Sequence, residues 1–383
     1  MGEVRSPRIL MAVQQLRRAV PGGIGAYARG LLSGLAQATE AGETTDITLY
    51  ASRPPRGRTG GGADPLTRFG HPVIGSRLPG PVMTRAWDLG WLGPAPGFDI
   101  IHSVSLAAPP ARASRGERTV VTVHDLSWRR YPEGSTPRGR RWHEAALARA
   151  RDSAAALVVT SNLVAADLEV DGVAADRLTI VHGGSDHLVA ADMARTDTVL
   201  DQLGVHGDFL LTVGTLEPRK NIGRLISAYG LARPTLPEPW PMVIVGPDGW
   251  GPALRDRGSE AGVVFAGEVA DPVLSGLYGR ARAFAYVPLT EGYGLPPLEA
   301  MRFGTPTVVS AEVPSVHDLA QSGVPPARIV DPLNVEDIAA GLVAVATDDV
   351  VRADLSARGG SYSRARTWRA AAQAHIDLWG SLA

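Results

Sequence analysis

Two adjacent cations, Arg219 and Lys220, stand at the junction between a predicted strand and a predicted helix. Lys220 is the only lysine among the 38 lysines and arginines of the chain. Apolar residues from Ile222 to Tyr229 recur at helical spacing, and Asn221 is a suitable N-cap for that helix. A helix N-terminus attracts anions and disfavours cations, so two cations placed there indicate an anionic ligand. We therefore predict a diphosphate site in which an ammonium cannot be replaced by a guanidinium; a solvated basic helix start is the alternative.

Two carboxylates lie at the ends of a second motif, Glu291-Gly-Tyr-Gly-Leu-Pro-Pro-Leu-Glu299, which follows a predicted strand at 283–287. Its two glycines allow a ligand to approach the backbone closely. Pro296 or Pro297 suits the first turn of a helix, and this places Glu299 in that turn. Carboxylates near a phosphate site are suited to hydroxyl groups of a ligand rather than to phosphate. As alternatives, Glu299 is a simple partner of the helix dipole and Glu291 a solvated loop residue.

Histidines follow two predicted strands in the first half of the chain. His124 and Asp125 come directly after the strand at 119–123 and are candidates for acid–base chemistry. Adjacent residues of an extended chain point in opposite directions, so we expect His124 alone to enter a site. His102, near the end of the strand at 100–103, is a second candidate. For both histidines a structural role in the core is the alternative.

Short apolar runs separated by helical patterns predict parallel sheets that are covered on both faces. Predicted strands are 8–13, 47–50, 100–103, 119–123, 156–160, 178–181, 209–213, 242–245, 263–266, 283–287 and 307–310. The series divides into two doubly wound α/β domains that we expect to face a common cleft. We assign residues 1–187 to the first domain, 188–206 to a linker, 207–365 to the second domain and 366–383 to a helix that crosses back to the first.

Composition excludes several classes of protein. The chain has 383 residues, a net charge of −1, 44% hydrophobic residues and no cysteine. A chain with this charge has no overall field for nucleic acid, and without cysteine it forms no disulfides. It shows no apolar stretch of the length that a membrane span needs, which predicts a cytoplasmic protein. A basic segment from Arg138 to Arg151 that includes Trp142 predicts a solvated helix face or, alternatively, a peripheral contact with the inner face of the membrane.

The segment Gly23-Ile-Gly-Ala-Tyr-Ala28 also matches a dinucleotide-binding fingerprint. That fingerprint directly follows a strand, whereas here residues 14–21 intervene. About 20 positions further on, Glu40 and Glu43 lie in a polar turn, and no acidic residue stands at a clear end of a second strand. These departures disfavour a nicotinamide enzyme.

The two long motifs closely resemble glycosyltransferase family 4, a group of retaining enzymes with the GT-B fold. They are Val213-Gly-Thr-Leu-Glu-Pro-Arg-Lys-Asn221 and Glu291-Gly-Tyr-Gly-Leu-Pro-Pro-Leu-Glu-Ala-Met301. Shorter segments that resemble the family in the same order are Pro21–Tyr27, Val123–Leu126, Val181–Gly183 and Val245–Trp250. The resemblance therefore extends over nearly the whole chain.

The resemblance implies a role for each matching position. Lys220, with Arg219, would hold the diphosphate of a nucleotide sugar, Glu291 would bind sugar hydroxyls, and His124 would meet the transferred sugar. Many family members have arginine at the position of Thr215, and Arg219 is expected to supply that charge here. The implied donor-binding positions are Gly23, Gly214, Thr215, Gly292, Tyr293, Gly294, Leu295 and Glu299, the last of them at the ribose. His102 and Asp125 are expected on the acceptor side.

The wording of the lysine motif resembles a branch of mannosyltransferases that act in cell-surface polysaccharide synthesis. This resemblance implies hexose transfer from a nucleotide-diphosphate sugar, with GDP-mannose favoured, to a saccharide or lipid-linked acceptor. It also implies no cofactor and no catalytic metal, and the sequence has no Asp-x-Asp metal motif. The alternatives are a nucleotide-sugar epimerase of GT-B fold and a non-enzymatic nucleotide-sugar-binding protein.

Overall fold

The computed structural model describes residues 6–18, 20–54, 64–110, 116–238, 240–250, 254, 262–318 and 323–383. The chain divides into two units. The first comprises Met1–Trp128, Ser135–Gly183 and Thr367–Ala383, and the second comprises Arg129–Gly134 and Gly184–Arg366. Apart from the short segment Arg129–Gly134, the chain leaves the first unit after Gly183 and returns to it at Thr367.

The first unit is built on a parallel sheet with the strand order β3-β2-β1-β4-β5-β6-β7. Its strands are β1 (Arg8–Ala12), β2 (Asp46–Ser52), β3 (Val73–Ser76), β4 (Ile100–Ser103), β5 (Arg118–Val123), β6 (Ala156–Val159) and β7 (Leu178–Ile180). Helices of this unit include α1 (Gly22–Glu40), α2 (Gly80–Asp88), α4 (Pro137–Ser153) and α5 (Asn162–Val170), and the short α3 (Ser127–Arg130) begins in it. The strands β4 and β6 are buried over their whole length, which explains their uninterrupted apolar character.

The last helix of the chain, the C-terminal helix (Trp368–Leu382), packs on α1 within the first unit. Gly30 and Gly34 allow the close approach. A Cβ atom on Gly34 would lie 2.0 Å from the carbonyl oxygen of Trp368, and one on Gly30 would lie 2.0 Å from the Trp368 ring. The predicted return of the chain to the first domain is confirmed.

The second unit is built on a parallel sheet with the order β10-β9-β8-β11-β12-β13. Its strands are β8 (Leu210–Val213), β9 (Met242–Val245), β10 (Val263–Gly267), β11 (Ala283–Tyr286), β12 (Thr307–Ser310) and β13 (Arg328–Val330). Its helices include α6 (Met193–Gln202), α7 (Ile222–Ala232), α8 (Asp271–Arg280), α9 (Leu295–Arg302), α10 (Val335–Thr347) and α11 (Asp349–Arg364). The strand order reverses between β8 and β11, where open α/β sheets bind ligands at the carboxyl ends of the strands.

The segment 188–206, predicted as a linker, is part of the second unit. It contains α6, which packs closely on α8: a Cβ atom on Gly276 would lie 2.1 Å from Oγ1 of Thr196. In addition, the Ser275 hydroxyl donates a hydrogen bond of 2.7 Å to the Val189 carbonyl. The short and mainly polar α6 has a weak apolar pattern, so the sequence did not reveal it.

None of the helices in the part of the chain that the structure describes is long and apolar enough to cross a membrane.

Candidate active site

The loop after β8 forms one tight turn, Pro218–Lys220, before α7 begins. Asn221 adopts a left-handed conformation with φ of 59° and makes no side-chain cap on α7. Its amide instead donates to the carbonyls of Val287 (3.0 Å) and Pro332 (2.8 Å). Asn221 therefore occupies the predicted N-cap position, but its side chain does not cap the helix. Asn221 ties the lysine loop to the segments that follow β11 and β13.

Lys220 lies against the end of β11. Its Nζ is 2.6 Å from the Tyr286 hydroxyl and 2.6 Å from Oε2 of Glu291. The Tyr286 hydroxyl also donates to the same carboxylate oxygen over 2.6 Å. The ammonium, the phenol and the carboxylate thus form a closed triangle, and the Lys220 side chain is only 15% exposed.

Arg219 binds the other oxygen of the same carboxylate. Its Nη1 donates to Oε1 of Glu291 over 3.0 Å and to the Thr290 carbonyl over 3.1 Å. Its Nη2 donates to Oε1 of Glu217 over 2.8 Å. The structure therefore brings together the three charged residues predicted from the two motifs, Arg219, Lys220 and Glu291.

The pKa values in this cluster follow from burial and charge. Burial by itself would raise the pKa of Glu291, but Arg219 and Lys220 outweigh it and hold that pKa well below its usual value. Burial lowers the pKa of Lys220, and the Glu291 carboxylate partly offsets this. Burial, followed by the Glu291 charge, raises the pKa of Tyr286 well above its usual value. Glu291 is thus a carboxylate and Tyr286 a neutral hydroxyl at physiological pH.

The glycine-rich loop after Glu291 is fixed by β12 and the turn that follows it. Gly294 has a φ of +95°, and a Cβ atom there would lie 2.5 Å from Cγ1 of Val313. Ser315 donates its backbone N–H to the Tyr293 carbonyl (2.8 Å) and its hydroxyl to the Gly294 carbonyl (2.6 Å). Gly292 and the side chains of Tyr293 and Leu295 are buried.

Gly214, which directly follows β8, approaches its neighbours closely. A Cβ atom on Gly214 would lie 3.7 Å from Cδ of Lys220. The neighbouring Gly246 lies so near that a Cβ atom on it would come within 2.1 Å of the Gly214 carbonyl oxygen. Thr215 follows, is half-buried, and carries no positive charge.

Glu299 forms its hydrogen bonds with other partners than the cluster of Arg219, Lys220 and Glu291. It is the fifth residue of α9 rather than a residue of the first turn, so the helix-dipole alternative loses its basis. Its Oε2 accepts from the Tyr278 hydroxyl over 2.8 Å, and its Oε1 lies 3.2 Å from Nε2 of His187. Burial, together with the Glu299 charge, raises the pKa of Tyr278 well above its usual value.

In the first unit, Nε2 of His124 donates to the Val104 carbonyl over 2.8 Å, and its ring meets the ring of Tyr27 edge-on. Burial lowers the pKa of His124, against the opposing effects of the Val104 bond and Asp125. Asp125 accepts hydrogen bonds from the backbone and hydroxyl of Ser127, which are local turn contacts.

Two further candidate residues of the first unit lie in surroundings that differ from those predicted. His102 is fully buried inside β4, where Nε2 contacts Oγ1 of Thr122 at 3.0 Å and the ring stacks on His375. A side chain so enclosed is a core residue here, and the acceptor-side prediction is not supported by this placement. Gly23 lies in the first turn of α1 rather than in a loop, and it is exposed.

The sequence did not indicate several residues of the site. Tyr286 and Tyr278 lie within apolar runs, so their hydroxyls gave no signal distinct from core packing. Glu217 was visible within the lysine motif but had no spacing that paired it with Arg219. His187 follows the Val181–Gly183 motif, and nothing in its surroundings pointed to Glu299. Among the described residues, no cluster of three or more histidines or carboxylates could hold a metal ion.

Comparison with known proteins places this site in a family. Residues 21–187 match the profile of Glycosyltransferase Family 4, and residues 203–364 match that of Glycosyl transferases group 1. O-antigen chain mannosyltransferase B of Escherichia coli is 32% identical over 263 residues, which are 66% of this chain and 68% of that protein. Serotype-specific mannosyltransferase WbdA of Escherichia coli is 29% identical over 279 residues, 69% of this chain but only 33% of WbdA.

The solved structure of Anabaena HepE in complex with UDP and glucose superposes with a TM-score of 0.72 at 18% identity, covering 98% of this chain and 100% of that one. The two doubly wound units and the returning helix thus have the GT-B architecture. The chain belongs to glycosyltransferase family 4 and is a glycosyltransferase.

Proposed function

We propose that this glycosyltransferase moves a hexose, with mannose favoured, from a nucleotide-diphosphate sugar to an acceptor hydroxyl with retention of anomeric configuration. The observation that carries the proposal is the half-buried, ion-paired cluster of Arg219, Lys220 and Glu291 at the strand-order reversal of the second unit. GDP-mannose is the favoured donor because two of the relatives named above are mannosyltransferases.

In this proposal Lys220 and Arg219 stabilise the leaving nucleoside diphosphate. An ammonium has three donors, and two of those of Lys220 are used by Tyr286 and Glu291. The third is available to a diphosphate oxygen. Negative charge grows on that oxygen as the glycosidic bond breaks, so a cation fixed beforehand lowers the barrier.

Glu291 and Glu299 address hydroxyl groups of the donor. Glu291 accepts from a sugar hydroxyl at Oε1, where a hydroxyl replaces the long contact of 3.4 Å from the Gly292 N–H; Oε2 is already occupied by Lys220 and Tyr286. Glu299 addresses the ribose, with Tyr278 and His187 fixing its carboxylate. Gly214 and Thr215 border the diphosphate, where Arg219 supplies the charge that many family members place at the position of Thr215.

The first unit supplies Gly23 and His124 in this proposal. Gly23 has no side chain to obstruct the backbone N–H groups at the start of α1, which face the donor diphosphate and the acceptor. His124 is neutral because burial lowers its pKa, and it meets the transferred sugar as a hydrogen-bond acceptor.

The reaction proceeds by displacement on one face of the sugar. The bond between the anomeric carbon and the phosphate oxygen breaks, and a bond from that carbon to the acceptor oxygen forms on the same side. The departing phosphate oxygen takes the acceptor proton. Glu291 orients the sugar and forms no lasting ester, because two cations and a phenol already hold its carboxylate.

The acceptor in this proposal is a saccharide or a lipid-linked saccharide, at the cytoplasmic side of the membrane. The name of one relative, O-antigen chain mannosyltransferase B, supports this class. The basic helix α4 gives limited support to a membrane contact, because its Trp142 and Arg149 are both bound to Asp88.

The test begins with a thermal-shift screen of nucleotide sugars, followed by transfer assays with mannosides and lipid-linked saccharides. We expect GDP-mannose to give the largest shift and the product to have the anomeric configuration of the donor, read from the one-bond coupling between C1 and H1 by NMR. An inverted product would overturn the retaining mechanism. An isomeric nucleotide sugar formed without acceptor would identify an epimerase, and binding without release of nucleoside diphosphate would identify a sensor.

A further inference from the structure

A buried network of rings links His124 to the C-terminal helix within the first unit. The Tyr27 ring meets the His124 ring edge-on, with centroids 4.8 Å apart and an angle of 81°. The Tyr27 hydroxyl lies 3.1 Å from Nε2 of His375, and both residues are buried. The Trp368 ring also packs edge-on against Tyr27 at 5.4 Å. Tyr27 is thus enclosed between His124 and two residues of the C-terminal helix.

The hydrogen bonds of His375 define the direction of this network. Its Nδ1 lies 2.7 Å from the Ala371 carbonyl, which can only accept, so Nδ1 carries the proton. Burial lowers the pKa of His375 to about 4, although the Ala371 bond opposes this, so the ring is neutral. Nε2 therefore holds a lone pair, and the Tyr27 hydroxyl donates to it.

The same reasoning fixes the tautomer of His124. Its Nε2 donates to the Val104 carbonyl, and burial keeps the ring neutral. Nδ1 is then the acceptor nitrogen. The Val104 bond and the edge-on contact with Tyr27 both act on the His124 ring, and Tyr27 is in turn fixed by His375 and Trp368.

We propose that Tyr27 and His375 are positioning residues, which hold His124 in one orientation with Nδ1 presented as an acceptor to a hydroxyl of the transferred sugar. The inference rests on the proposed function, because the role of His124 toward the sugar is itself part of that proposal. It makes the C-terminal helix, through His375, a contributor to the catalytic geometry of the first unit.

The test uses the full-length enzyme labelled with ¹⁵N in its histidines. Two-bond proton–nitrogen spectra report which ring nitrogen carries the proton, and His124→Gln assigns the signal. Tyr27→Phe and His375→Leu both remove the hydrogen bond between the rings, while His375→Gln retains an acceptor. Tyr229→Phe is the matched control, since it removes a buried tyrosine hydrogen bond to a carbonyl in the second unit.

We expect wild-type His124 to show a single tautomer with the proton on Nε2. In Tyr27→Phe and His375→Leu the tautomers should mix, and kcat should fall about 10-fold with little change in the Kd for GDP. His375→Gln should restore both readouts, and Tyr229→Phe should alter neither. An unchanged tautomer in His375→Leu and Tyr27→Phe would overturn the proposal, whatever happens to kcat. Normal transfer by His124→Gln together with the tautomer change would instead reject the proposed sugar contact and leave the positioning intact.

Discussion

At the scale of single residues, the four charged side chains around Lys220 in the second unit are balanced in sign. Arg219 and Lys220 face Glu217 and Glu291, so two largely enclosed cations are matched by two carboxylates. Buried ions are tolerated only when they are paired and hydrogen-bonded. The pairing holds the cations in position before any phosphate arrives, which is the condition for effective electrostatic catalysis.

Lys220→Ala tests the contribution of the ammonium. We expect kcat to fall by about 10²-fold or more, because a preorganised charge donor to the leaving group is lost. Circular dichroism and thermal unfolding check that the variant is folded. Arg195→Ala, which removes an exposed cation of α6, should leave kcat unchanged. Wild-type turnover by a folded Lys220→Ala enzyme would remove the assignment.

Glu291→Gln tests the coupling between the carboxylate and the ammonium. The Glu291 charge raises the pKa of Lys220 against the effect of burial, so its removal lowers that pKa further. The ammonium then loses its proton at a lower pH, and the alkaline limb of kcat/KM moves to lower pH. Glu336→Gln, an exposed carboxylate of α10, is the control and should leave the profile in place. An alkaline limb at the wild-type position in Glu291→Gln would contradict the coupling.

The sequence predicted part of this site for physical reasons that can be named. Lys220 and Glu291 stood out because a lone lysine and a carboxylate among glycines are unusual in type and position. Tyr286 did not stand out. A buried tyrosine at the end of a strand gives the same sequence pattern whether its hydroxyl contacts charged side chains of a site or only solvent. The fully buried His102 shows the converse, because its polar type suggested a site where the fold required a core residue.

At the scale of elements, the eleven predicted strands are all present, and the described part of the chain contains two further strands that the sequence did not predict. These are β3 and β13, which lie at the edges of their sheets. Edge strands are partly exposed and short, so they lack the continuous apolar run that marks the central strands. The helix α6 was missed for a related reason, since only Thr196 and Leu200 of it are buried.

The crossing of α1 and the C-terminal helix depends on a residue without a side chain. In Gly34→Ala the new Cβ would lie 2.0 Å from the backbone oxygen of Trp368, and backbone cannot move aside as a flexible side chain can. We expect a loss of about 1–3 kcal/mol in the free energy of unfolding, measured by urea denaturation. The matched control is Gly380→Ala in the C-terminal helix, where nothing lies within 4 Å of the new atom. Greater helix propensity should make that variant equal or superior to wild type in stability.

At the scale of the whole molecule, the order of the chain differs from the order of its units. The sequence predicted two α/β domains and a returning helix, because the alternation of strands and helices repeats on both sides of one weakly patterned region. Within the second unit, Ser185 donates a backbone hydrogen bond of 3.0 Å to the Arg366 carbonyl and a hydroxyl hydrogen bond of 2.8 Å to Ser363. The two ends of the unit are therefore joined by hydrogen bonds that no sequence pattern indicated.

This arrangement leads to a prediction about truncation. A chain that ends at Arg366 loses only the C-terminal helix, yet the damage should fall on the first unit. That helix contributes the fully buried rings of Trp368 and Trp379, and removing a buried aromatic side chain costs about 3–5 kcal/mol. We expect hydrogen exchange to accelerate in β1 and β4, while β8 and β11 stay protected and GDP still binds to the second unit.

A chain that ends at Gly380 is the control for this truncation, because it keeps both tryptophans and loses only exposed or half-buried residues. Its exchange in β1 and β4 should match that of the full-length protein. If instead the chain ending at Arg366 lost protection in β8 and β11 to the same extent as in β1 and β4, the core of the second unit would depend on the C-terminal helix. The division of the chain at Gly183 and Arg366 would then be wrong as an account of its stability, even though each sheet is complete on its own side of it.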